Sequence, residues 1–180
     1  NAADMKEVKT LVTKAVDQCD SNMVAWVKSY QEADLVQTVE DFMKDNPDVV
    51  MEMPQISVGV YPDAGISRIV EVKFTYETSR ESLRQMQQQV RRIFSSAQLY
   101  INSGATAEQK CAQLYTFLME RFDYQFQTSI TPAYSLLSHG VGDSKAFASV
   151  YAAMCRRAGL DCNLVSGTKD GKSWYWNIVR

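Results

Sequence analysis

The sequence predicts an α+β fold in which helices pack on antiparallel sheet. Three observations carry this. Several segments place apolar residues at helical spacing, two pairs of segments alternate with period two, and the strand-like segments are grouped together instead of alternating one by one with helices.

Met5, Val8, Val12, Ala15 and Cys19 fall on one face of a first helix, and Asp20-Ser21-Asn22 breaks it. Leu35, Val39, Phe42 and Met43 repeat the pattern up to Asp45-Asn46-Pro47, because a residue before proline is pushed out of the helical region. The period then changes. Ile56, Val58 and Val60, followed by the turn residues Pro62-Asp63-Ala64-Gly65 and by Val70, Val72, Phe74 and Tyr76, predict an antiparallel hairpin with one buried face.

Ser79 is placed to cap a long helix through Leu83, Met86, Val90, Ile93, Phe94, Ala97 and Ile101, with Gly104 as its C-cap. Thr106 and Gln109 are spaced as a capping box. The helix they open carries Cys111, Leu114, Tyr115, Leu118, Met119 and Phe122 on one face. Thr131-Pro132 starts a short helix, since proline suits the first helical position. Asp143 or Ser144 caps another, with Phe147, Val150, Tyr151 and Met154 inward and Gly159 closing it. Strands from Leu160 to Val165 and from Trp174 to Val179 flank the turn Lys169-Asp170-Gly171-Lys172. The domain division this suggests is 1–104, helical with a β-hairpin, and 105–180, the core.

At 180 residues, with 46% apolar and 22% charged residues, the chain has the composition of an ordinary globular protein. A net charge of −2 argues against a nucleic-acid surface. No apolar run approaches the roughly 20 residues needed to span a bilayer. Four cysteines without a CxxC pair, and the single histidine His139, argue against a Cys/His zinc site, and no cofactor is expected. Cys155 and Cys162 are close enough in sequence to pair, but spacing alone does not establish it.

Chemistry concentrates at Ser144. A helix start holds unpaired N–H groups and partial positive charge, which favour a thiolate or an oxyanion if a second element supplies a base. The stretches Glu120-Arg121-Phe122-Asp123-Tyr124, Cys155-Arg156-Arg157-Ala158-Gly159, Val165-Ser166-Gly167 and Trp174-Tyr175-Trp176-Asn177-Ile178-Val179 resemble, in that order, motifs of bacterial transglutaminase-like domains in the papain-like superfamily. The resemblance is specific in the C-terminal third. The N-terminal half, with its Asn46-Pro47-Asp48 turn, is similar to the region preceding this core in many secreted bacterial members.

That resemblance implies a papain-like core of helices on antiparallel sheet. It also implies that the family's nucleophilic cysteine falls on Ser144, its general-base histidine on Trp174, and its acidic third member past Arg180. Trp176 and Asn177 are retained as strand-supporting residues, with Trp176 at a packing position. Indole only donates, so Trp174 cannot act as a base. His139 precedes Ser144 in the entering loop, where packing or solvent exposure accounts for it. Ser144 itself suits a helix cap or first-turn position. Trp174 either fills the family's cleft or lines a new one. Arg91-Arg92 and Arg156-Arg157 read as solvated helix faces, and Asp123 and Asp143 as isolated carboxylates.

The expectation is therefore a catalytically inactive transglutaminase-like domain. It would act outside a bacterial cell as a binding or scaffold module for a protein, peptide or glycan, with Ser144, Trp174, Trp176, Asn177 and His139 around the site. The alternatives are a Ser144-dependent hydrolase or acyl transferase with another base, and a purely structural domain with Trp174 filling the cleft.

Overall fold

The computed structural model describes residues 1–124 and 132–180. It is a mixed α+β protein with six helices among these residues. The chain divides into two compact units, one formed by 1–44 with 52–85 and the other by 45–51 with 86–180.

The first unit holds β1 (Ala2–Asp4), α1 (Met5–Asp17), β2 (Asn22–Ser29), α2 (Leu35–Asp45), β3 (Gln55–Pro62) and β4 (Arg68–Thr75). The strands form one sheet in the order β1-β2-β4-β3, antiparallel except for the parallel β1–β2 pair. The Asp4 side chain caps α1 by accepting from the Lys6 and Glu7 N–H groups. Val8, Val12, Ala25, Val27, Val70, Val72 and Phe74 are all buried and form the apolar interior of this unit.

Two differences from the expectation appear here. First, β2 occupies a segment for which no strand was expected. Its buried Ala25 and Val27 alternate with partly exposed neighbours. The strand exists because it lies between β1 and β4 and pairs with both. Second, the buried face of the hairpin belongs to β4. Val58 and Val60 of β3, the edge strand, are exposed, while their cross-strand partners Val72 and Val70 are buried.

Helix α3 (Arg80–Leu99) starts at Ser79, whose hydroxyl accepts from the Ser82 N–H. It ends earlier than its apolar spacing suggests. Gly104 lies beyond the helix with φ +77°, in the loop before α4, so it is not the C-cap. In the second unit, α4 (Ala107–Arg121) opens with the capping box of Thr106 and Gln109. Then follow β5 (Asp123–Tyr124), α5 (Pro132–His139), β6 (Val141–Gly142), α6 (Ser144–Arg157), β7 (Cys162–Lys169) and β8 (Lys172–Val179). Thr131, expected to begin the short helix, lies outside the described residues.

Helix α6 is the hub of this unit, with Ala146, Ala148, Ser149, Val150, Ala152, Ala153, Met154 and Cys155 buried. Small residues on several sides let α4, α5 and the β7–β8 hairpin approach it together. The hairpin turns at Asp170 and Gly171, both at positive φ, the pairing a two-residue turn of this type requires.

The Arg156-Arg157 pair is exposed, as a solvated face would be, but both guanidinium groups are also engaged within the protein. The Arg157 guanidinium pairs with the Asp48 carboxylate, which is 5% exposed, and lies 4.6 Å from the Phe94 ring centroid. Arg156 donates to the Cys162 carbonyl at 3.2 Å and to the Asp45 carbonyl at 2.9 Å. Fork-shaped guanidinium donors thus tie the end of α6 to the 45–51 segment. Helical spacing places these residues on a face but does not reveal a partner so distant in sequence.

Candidate functional site

The site is built on the start of α6. Asp143 is the N-cap, accepting from the Ala146 N–H at 2.9 Å, which leaves Ser144 as the first helical residue. Gly142 precedes them because the backbone runs close to both neighbouring helices. A Cβ there would lie 2.9 Å from the Ala146 Cβ and 3.0 Å from the Leu136 Cβ. The Asp143 carboxylate is therefore committed to the helix end.

Strand β8 crosses that helix end. The Ser144 hydroxyl accepts from the Tyr175 backbone N–H at 3.3 Å. Two residues on, the Asn177 amide donates to the Ala148 carbonyl at 2.8 Å. Alternation along the strand puts Tyr175 and Asn177 on one face of the ribbon and Trp174 and Trp176 on the other. Trp174 is half-buried and meets Tyr124 with ring centroids 5.6 Å apart. Trp176 lies over Gly167, where an added Cβ would come within 2.5 Å of the indole.

Trp176 was expected at a packing position. It is instead 41% exposed, at the border of the groove described below. Asn177 does support the strand, through its bond to α6. Asp123 is exposed on β5, and its backbone N–H donates to the Gly140 carbonyl at 2.6 Å.

These residues border a groove of ≈ 520 Å³. Ser144 and the β8 residues Trp174, Tyr175, Trp176 and Asn177, from both faces of the strand, border it on one side. Tyr115, Leu118, Met119 and Phe122 from α4 and its C-cap, Tyr124, and Phe147 and Tyr151 from α6 complete it. The described lining contains no thiol, imidazole or carboxylate. His139 is exposed at the end of α5 and does not line the groove. Of the five residues singled out from sequence, the structure brings together Ser144, Trp174, Trp176 and Asn177 and leaves His139 apart.

Sequence reasoning missed the opposite wall. Tyr115 and Met119 sit on the apolar stripe of α4, yet they are 58% and 44% exposed. The available signal was the width of that stripe, which exceeds what one packed face requires. Behind the groove lies a sulfur cluster. The Tyr151 hydroxyl donates to the Cys111 carbonyl at 3.0 Å, and burial raises its pKa well above the ordinary phenol value. The Cys155 thiol, hydrogen-bonded to Cys162 and buried, is likewise pushed up, while the same bond lowers Cys162.

No curated protein matches the chain. A solved structure described as a crystal structure of a TGase superposes with a TM-score of 0.44 at 10% identity. The match covers 88% of this chain and 48% of that protein, so the chain spans about half of its length. The family model of the transglutaminase-like superfamily matches residues 95–179, from the end of α3 through β8. The segment that builds the α6 start, the hairpin and the groove is thus a transglutaminase-like domain.

Proposed function

We infer that the domain is catalytically inactive and works as a binding module, using the groove beside Ser144 for a protein, peptide or glycan ligand. One observation carries this reading. At the helix start where the family resemblance locates a nucleophile and base, Ser144 and Trp174 flank an open groove whose described lining offers neither thiol nor imidazole. A hydroxyl needs a base within hydrogen-bond reach, and the Ser144 oxygen is engaged by a backbone N–H. The open groove favours binding over a purely structural role with Trp174 as a plug.

In this reading residues 105–180 form the functional core and 1–104 a supporting region. The setting is extracellular and bacterial, on the resemblance of the N-terminal half to secreted members. Among the described residues no helix is long and apolar enough to cross a membrane.

The test is an acyl-transfer assay, amine incorporation into a glutamine-bearing protein, together with fluorophosphonate labelling. Both should be blank. Turnover or labelling that disappears in Ser144→Ala would overturn the inactive reading and favour a serine-dependent enzyme.

A further inference from the structure

We propose that the groove binds an extended, acidic peptide segment, with apolar or proline side chains seated between the rings and carboxylates meeting Lys145 and Lys169. The proposal rests on the binding-module reading and narrows its ligand class.

The groove interior is aromatic and apolar. Tyr115 and Tyr151 meet edge to face with centroids 6.5 Å apart, and Tyr124 and Trp174 meet at a tilt, 5.6 Å apart. Clefts between such rings take flat, rigid apolar groups such as a proline ring, and hydroxyl and indole donors can serve peptide carbonyls.

A glycan fits the lining less well. Sugar hydroxyls call for amide or carboxylate side chains beside the stacking ring. The one amide in the described lining, Asn177, already donates to the Ala148 carbonyl.

Charge gives the second half of the argument. Lys145 Nζ stands 5.7 Å from the Tyr175 centroid, and Lys169 Nζ 4.6 Å from that of Trp174. Both rings line the groove. Neither lysine forms an ion pair with a carboxylate among the described residues. Asp143, the neighbouring acid, is turned to the Ala146 N–H. Among the described residues these two ammonium groups face rings and form no ion pair, although Asp143 and Asp170 lie close to them in sequence, and the described lining of the groove carries no charge. A ligand with carboxylates outside an apolar centre is complementary to that pattern.

The test is selection of a random decapeptide phage library on the whole chain, with the Lys145→Glu/Lys169→Glu variant in parallel. The expected result is enrichment of acidic peptides with central proline or aromatic residues. A synthetic peptide from the selection should bind the variant roughly tenfold more weakly, and binding to the parent should weaken with added salt. Its amide and indole NMR shifts should map to Trp174 and Trp176. Both proteins should show the same unfolding midpoint, which separates lost binding from lost fold. A neutral or basic consensus, equal binding to parent and variant, or no enrichment overturns the proposal. A chitotetraose titration separates the two levels. If the sugar shifts the groove resonances and peptides do not, the peptide class falls and the binding-module reading stands. If the amine-incorporation assay shows Ser144-dependent turnover, the reading itself falls.

Discussion

Replacing Ser144 with cysteine places a thiol on the first residue of α6, and the structure sets what that thiol should do. Two features favour its anion. The N-terminal end of a helix stabilises a negative charge by about 0.3–1 kcal/mol. The Tyr175 N–H, which reaches the Ser144 oxygen at 3.3 Å, would donate to a thiolate instead. A hydrogen bond to a charged group exceeds one to a neutral group by about 1 kcal/mol. The Asp143 carboxylate next in sequence opposes the anion, although it is occupied by the Ala146 N–H. The balance is about 1–2 kcal/mol, or roughly one pH unit, so the thiol should titrate near 7.5 instead of about 8.5. The assay is iodoacetamide alkylation across pH 5–10, read at the residue 144 peptide by mass spectrometry so that the native cysteines do not interfere. Adding Trp174→His should lower the midpoint further, since an imidazolium lining the same groove stabilises a thiolate there. A midpoint at or above that of a free thiol in the single variant would refute the claim that the helix end has an anion-stabilising field.

Other consequences follow from the same structure. The Arg157–Asp48 pair should be asymmetric. Arg157→Ala strands a carboxylate that is 5% exposed and should cost about 2–3 kcal/mol in urea unfolding. Asp48→Asn leaves a half-exposed guanidinium over Phe94 and should cost about 1 kcal/mol. Gly167→Ala puts a methyl 2.5 Å from the Trp176 indole. The exposed ring should swing aside with a stability cost below about 1.5 kcal/mol and a change in tryptophan emission, while unchanged emission would place the ring elsewhere. In the native protein Cys111, which is partly exposed, should alkylate well before Cys19 and Cys155. Burial raises Cys19, and the bond to Cys162 together with burial raises Cys155. Equal rates measured by peptide mapping would contradict that ordering.

Much of the architecture is legible in the sequence because it is local. The Thr106–Gln109 capping box, the cap at Asp143 or Ser144, the Asp170-Gly171 turn and the stripes of α1 and α4 each depend on residues a few positions apart. The pairing of Ser144 with the strand through Trp174–Asn177 was also readable, through motif resemblance and not through spacing. Strand β2 was not, because its stability comes from neighbours on both sides in the sheet. The early end of α3 was not either. Apolar spacing continues to Ile101, but backbone hydrogen bonding decides where a helix stops.

By itself, then, the sequence determined the α+β class, the order of most elements, and the absence of thiol and imidazole at positions 144 and 174. Tertiary structure alone decided the rest. It placed Trp176 on an exposed face, left His139 outside the groove, joined Arg157 to Asp48, and set α4 opposite β8 to make an aromatic channel. The physical reason is one of range. Caps, turns and periodicity are governed by neighbours along the chain, whereas burial, ion pairing and a groove depend on which surfaces from distant segments meet.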